Sequence, residues 1–431
     1  MFVHSIEYIL HKLLFIFLCC LSQIELFAVM RDTVFHSNIH TVQLLRDGKP
    51  SLMPMLQLHS SEKISLHFDD LNAGSDVYNY TFVLCDYNWS PSPLEPIMYL
   101  QGFMQANIST MDFSMGTKQS YTHYSLDFPT NDLKPKFSGN YALVVFKEYD
   151  NQDTVFIKRF RVFEPLLSLK GRIRDAISAE YRLQAQDLVF DLDYSAIPNV
   201  NPRMDLMVDI YQNGREDNAR RNVKPAMQVG SVFTFDNLDN SLTFEGGNEW
   251  RFLDLRTLRQ KTNITRDLVE ARDGLMISYL FPLPARGSRQ YTPLPDLNGA
   301  YYIETRDGFR PDTDGDYSYV RFALDYDRGP DQIGDVYVMG QLSNFQLLPE
   351  FKMDYDPELK EYFLTKKLKT GYYNFLFVNK NPFPQISPTQ LLEGDFARTE
   401  NMYIVLVYYR DRYQRNDRLI GVSALSTITD R

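Results

Sequence analysis

The sequence predicts an all-β protein built from several β-sandwich domains in series. Three observations carry this. Tyr78, Tyr80, Phe82 and Leu84 alternate with Asn79, Thr81 and Val83, the period-two pattern of a half-buried strand. Aromatic residues reach 14 %, with 30 Phe and 28 Tyr, and aromatic rings suit a pleated, half-buried surface. Strand-length apolar segments are also divided by turn chemistry such as Ser138-Gly139-Asn140 and Asn213-Gly214.

Residues 1–28 read as a secretory signal peptide. Lys12 precedes the apolar run Leu13 to Leu21, Ser22 and Ala28 offer small-residue cleavage positions, and no stop-transfer segment follows. The run is roughly half the length of a spanning helix. Cys19 and Cys20 follow Phe17 and Leu18, which are not the small residues of a lipoprotein signal. Beyond them Cys85 is the one remaining cysteine. It is expected to be a buried thiol, so the core and not disulfides must hold the fold. The net charge of −10 argues against nucleic acid, which needs basic patches.

The first domain is expected over 29–165. Val42 to Leu45, Leu56 to Leu58 and Ile64 to Phe68 read as its opening strands. After the strand ending at Cys85 come Trp89 and Ser90-Pro-Ser-Pro-Leu-Glu-Pro96. Three prolines in six residues exclude a central strand and favour a rigid extended loop, either a crossover between sheets or a recognition surface. Tyr141 to Phe146 is a continuous apolar run of buried-strand length, and Pro165 marks the boundary.

A central β-rich domain is expected over 166–315. Its strands are Leu188 to Leu192, Met204 to Tyr211, Val232 to Phe235, Leu242 to Phe244, Ser278 to Phe281 and Tyr301 to Ile303. Arg215 to Arg221 reads as a solvated charged loop. Glu249, Arg251, Asp254 and Arg256 are placed to form a structural ion-pair network around one turn. Asp312-Thr-Asp-Gly-Asp316 has the alternating carboxylates of a calcium loop, but its glycine is at the fourth position and Ala323 stands at the twelfth. A polar turn is the expectation.

The third domain is expected over 316–431. Val336-Tyr-Val-Met-Gly340 and Gly371-Tyr-Tyr-Asn-Phe-Leu-Phe377 make it similar to early-set immunoglobulin-like modules related to starch- and glycogen-binding domains. Phe345, after Asn344, stands where those modules carry a glucan-stacking Trp, so structural use of the module is expected over sugar binding. Tyr403 to Arg410 and Asp417 to Val422 read as the last strands of this third sandwich.

The chain shows little chemistry. His59 and His67 are too far apart for a local metal pair, and there is neither a His-x-x-x-His motif nor a cysteine pair, so no zinc site is expected. No Gly-x-Ser-x-Gly elbow and no phosphate-cradling glycine loop occur. No carboxylate pair stands out for glycoside hydrolysis. The expectation is a protein that is not an enzyme and has no cofactor.

Several segments together carry a resemblance. They are TFVLCDYNWSPSPLEPIMYLQGF (81–103), FSGNYALVVF (137–146), RFRVFE (159–164), FEGGNEWRFLDLRTLR (244–259), DGDYSYVRFAL (314–324), LKTGYYNFLFV (368–378) and EGDFARTENMYIVLVYYR (393–410). In this order, across nearly the whole chain, they resemble the plug proteins of the type IX secretion system. The resemblance implies a non-enzymatic periplasmic protein, peripherally associated with the outer membrane through the translocon barrel, whose periplasmic opening it closes. It implies no nucleic acid and no small-molecule substrate. Candidate contact residues are Trp89, Pro91, Pro93 and Pro96, with Trp250, Arg251, Asp254 and Arg256. The alternatives are a periplasmic or surface glycan-binding protein acting through the C-terminal module, and a carbohydrate-active enzyme.

Overall fold

The computed structural model describes residues 29–429, apart from 149, 151, 199, 238, 239 and 381–386. The signal-peptide segment lies outside the described residues. The architecture is all-β: three sandwiches of mostly antiparallel sheets, with α-helices of a single four-residue turn. Among the described residues no helix is long and apolar enough to cross a membrane.

The first sandwich packs the sheet of Tyr78–Cys85, Gly139–Lys147 and Thr154–Phe163 over the sheet of Ile39–Arg46, Ile64–Asp70 and Thr122–Phe128. Tyr78, Tyr80, Phe82 and Leu84 all enter the shared core, meeting Phe68, Tyr124, Phe128 and Phe160. The apolar run Tyr141 to Phe146 is continuous because that strand is covered on both faces. Tyr141, Leu143 and Val145 face the main core, while Ala142 and Val144 join Cys85 and Trp89 in a second cluster on the other side. Cys85 is a buried free thiol, and burial pushes it up to about 12.

The second and third sandwiches depart from the expected boundaries at 166–315 and 316–431. Met402–Asp411 pairs with Leu206–Gln212, not with the third sandwich, and Asn416–Ser426 pairs with Met402–Asp411. This three-stranded sheet closes over Leu169–Asp175, Ala185–Asp193 and Val232–Phe235. The reason lies in the core: Tyr403, Val405, Val407, Ile420 and Leu425 bury against Leu188, Phe190, Phe235 and Phe244. The third sandwich begins earlier than predicted and ends earlier too. Arg251–Asp254, Met276–Leu280 and Tyr301–Ile303 belong to it, and Leu253, Leu255, Leu280 and Tyr301 share one core with Val320, Phe322, Phe375 and Leu392. It is therefore an insertion into the second sandwich.

Polar locks join the three bodies. Lys369 of the third sandwich meets Asp69 of the first at 2.7 Å, with both side chains 1 % exposed. The Tyr317 hydroxyl donates to the same carboxylate at 2.6 Å, and the Lys369 ammonium lies 4.2 Å over the Tyr121 ring. Between the first and second sandwiches, buried Arg161 donates to Glu216 at 2.6 Å and to the Tyr211 and Tyr408 hydroxyls at 3.2 and 3.3 Å. The loop Arg215 to Arg221, expected to be solvated, is thus partly an interface element, because Glu216 and Arg221 compensate charges that would otherwise be buried alone. Lys158 adds a link from Asp32 to Asn344.

Candidate partner-contact surface

The predicted contact residues divide into buried and exposed groups. Trp89 is not a surface residue. It turns back at φ +72° and is 1 % exposed, with the Arg159 and Arg161 guanidiniums 4.6 and 4.8 Å from its ring centroid. Pro91, Pro93 and Pro96 follow it in the sequence, a pattern that predicts a surface loop. The positive φ at Trp89 folds the ring under the sheet instead, where two cations from Thr154–Phe163 cover it. Pro91 is half-buried and bridges to Cys85. Pro93 and Pro96 are exposed.

Trp250 is buried as well. It packs edge-on to Phe345 at 5.8 Å, and Arg215 of the second sandwich lies over both rings at 5.4 and 5.6 Å. Gly299, at φ +87°, lets this pair close, because a Cβ there would stand 2.7 Å from both rings. Phe345, the residue after Asn344, is therefore covered by Trp250 and Arg215. The rings form one wall of a cleft of about 380 Å³ between the second and third sandwiches, with Asn213, Glu245, Asp395 and Asn401 on other walls.

The expected network around Glu249 to Arg256 separates into three. Arg251 is buried and donates to Glu393 at 2.9 Å, and Arg286 donates to the same carboxylate at 2.7 Å. Burial alone would raise the Glu393 carboxyl, but Arg251 and Arg286 hold it below its ordinary value. Arg251 is thus a structural tie: its side chain points into the sandwich, where Phe375 sits opposite it in the ladder and Phe377 packs under its guanidinium. Asp254 and Arg256 form a half-buried bidentate pair at 2.9 and 2.7 Å, extended to Glu304. Glu249 instead accepts from the Tyr291 hydroxyl.

Sequence reasoning missed an exposed apolar segment of the first sandwich. Pro96 opens the helical turn Pro96–Tyr99, which buries Tyr99 and turns Ile97 and Met98 outward at 69 % and 51 % exposure. The chain then runs along the rim of the first sandwich. Phe103 is 65 % exposed, and all four residues of the edge strand Thr110–Phe113 are exposed. Counting Met104, Met111, Phe113 and Met115, seven large apolar side chains lie open within residues 97–115. Phe and Met so exposed are the composition of a partner surface.

The polar turn at Asp312 to Asp316 serves docking. Asp314 accepts from the backbone of Phe309 and Arg310, and Asp316 from the backbone of Lys118 and Gln119 in the first sandwich. Strand register also brings together histidines that are distant in sequence: His67, His123 and Asp312 have ligand atoms within 4.8 Å of one another.

Comparison with known proteins supplies the wider context. Residues 39–164 match the model of the type 9 secretion system plug protein first domain. The crystal structure of a hypothetical protein from Parabacteroides merdae ATCC 43184 is similar at 30 % identity and TM-score 0.86, over 92 % of this chain and 99 % of that one. No curated protein matches the chain. The segment 97–115 and Trp89 both fall inside the matched stretch, and the first sandwich belongs to the type 9 secretion system plug protein first-domain family.

Proposed function

We propose that this protein is a non-enzymatic periplasmic subunit of the type IX secretion system that plugs the periplasmic opening of the outer-membrane translocon barrel. The observation that carries this reading is the match of residues 39–164 to the plug first domain. Two features of the fold support it. Three sandwiches tied by buried ion pairs make a stiff body, as closing a pore requires. The rim at 97–115 supplies apolar anchors that a folded monomer otherwise leaves in water. The barrel is met through this rim, with Pro93 and Pro96 at its start, and not through Trp89, Trp250 or Arg251.

The test is capture from an envelope extract. The tagged mature chain is expected to bring down a large outer-membrane barrel protein. A Phe103→Ser, Phe113→Ser variant, which keeps its folded-state melting behaviour because both rings are exposed, is expected to lose it. Recovery of no barrel with the unaltered chain would end the plug reading. Undiminished recovery with the variant would move the contact elsewhere.

A further inference from the structure

The first sandwich presents one sheet face to the third. On that face His123 stands opposite Asp69 in the ladder and Ser125 opposite His67, so the two histidines are diagonal neighbours. His67 Nδ1 lies 3.0 Å from His123 Nε2. The other ring nitrogen of His123, Nδ1, is 2.6 Å from Asp69 Oδ1. Asp312, from the third sandwich, brings Oδ1 to 3.8 Å from His123 Nε2.

We propose that His67, His123 and Asp312 bind a divalent transition-metal ion of the zinc class, which clamps the first sandwich to the third. The donor set is two imidazole nitrogens and one carboxylate, and zinc accepts all three. The orientation of His123 is the more telling feature. Its Nδ1 faces a buried carboxylate, which leaves Nε2 as the ring atom turned toward His67 and Asp312. This carboxylate–imidazole arrangement is the one that orients metal-bound histidines. Asp69 is itself fixed by Lys369 at 2.7 Å and Tyr317 at 2.6 Å, so the imidazole cannot swing.

The distances suit a small adjustment. Two nitrogens on a tetrahedral zinc stand about 3.3 Å apart, a few tenths of an ångström beyond the observed 3.0 Å. The Asp312 side chain is 53 % exposed, so it is free to rotate onto the ion, and water completes the fourth position from that open side. Because the ligands come from two sandwiches, the ion would act as a staple. The inference stands on these residues and does not depend on what the protein closes.

The mature chain, stripped with a chelator and desalted, is titrated with Zn²⁺ in a calorimeter, and cobalt is loaded in parallel for its visible absorption. One equivalent of Zn²⁺ is expected to bind. His123→Ala should abolish binding, and Asp312→Asn should weaken it at least about tenfold. Asp312→Asn is the decisive variant, because its side chain is 53 % exposed and stands 3.8 Å from His123 Nε2, beyond hydrogen-bond distance. His59→Ala, at an exposed histidine elsewhere on the first sandwich, should change nothing. If the unaltered chain binds no Zn²⁺, the two imidazoles only share a hydrogen bond and the proposal falls. It falls equally if Asp312→Asn binds as tightly as the unaltered chain, or if His59→Ala removes the binding.

Discussion

Replacing Lys369 by Met tests whether the first and third sandwiches are locked by charge. Lys369 and Asp69 approach to 2.7 Å with side chains only 1 % exposed. At an effective dielectric of about 20 that separation corresponds to a gross attraction of about 6 kcal/mol. Desolvation of both charges offsets most of it, so the pair itself adds little net stability. Breaking it is a different matter. Met keeps the length of the side chain but leaves Asp69 ionised and buried, with Tyr317 and His123 as its remaining partners. The expected loss is about 3–5 kcal/mol. Adding Asp69→Asn removes the stranded charge, and the double variant is expected to regain at least half of that loss. Denaturant unfolding gives the energies, and hydrogen exchange at 64–70 and 361–369 shows whether the loss is local to the interface. A single-variant loss below about 1 kcal/mol, or a double variant as unstable as the sum of the singles, would refute the argument.

Three further outcomes follow from particular contacts. Trp89→Ala is expected to cost about 3–5 kcal/mol in denaturant unfolding, since it empties the space between two guanidiniums and the sheet, whereas a surface recognition residue would cost almost nothing. Glu393→Gln leaves Arg251 and Arg286 without a counter-charge and is expected to cost about 3–5 kcal/mol, measured the same way. Burial, with Glu245 adding to it, pushes the Asp395 carboxyl up to about 6. The stability it contributes is fully present below its unfolded value near 4 and is lost as pH rises through about 6, by about 3 kcal/mol. Asp395→Asn should therefore match the unaltered protein near pH 4 and melt higher than it at pH 8. A difference that does not change with pH would contradict this.

What was legible in the sequence was local. Alternation located Tyr78–Cys85, and the two-sided apolar run located Gly139–Lys147. Pairing between distant strands was not legible. Met402–Asp411 reads as a strand wherever it goes, and only the complementarity of Tyr403, Val405 and Val407 with the core around Phe190 and Phe235 sends it to the second sandwich. The same limit hid the histidines. Ser65, His67 and Asp69 alternate with core residues, as do His123, Ser125 and Asp127. That pattern reads as a solvated face until the register sets His123 against Asp69 and the third sandwich covers both. Trp89 misled for a different reason. Prolines on one side of it signal a loop, but one left-handed residue reverses the side chain's direction, and single-residue φ is not written in composition.

The displaced hairpin alters how the whole body should behave. Were the third sandwich simply last in the chain, one linker would join it to the second, and independent motion of the two would be the default. Because Met402–Asp411 returns to pair with Leu206–Gln212, the chain enters and leaves the third sandwich across the same interface, near Gly247 and near Thr399. Those two crossings are themselves joined, since the Thr399 hydroxyl donates to the Gly247 carbonyl at 2.8 Å and the Phe396 amide to the same group at 2.9 Å. The Asp69–Lys369 pair adds a third attachment on the side of the first sandwich. A body fixed at three places transmits force applied at one rim to the others without hinging. That property makes the apolar rim at 97–115 a fixed surface instead of a loop that would have to be ordered on contact.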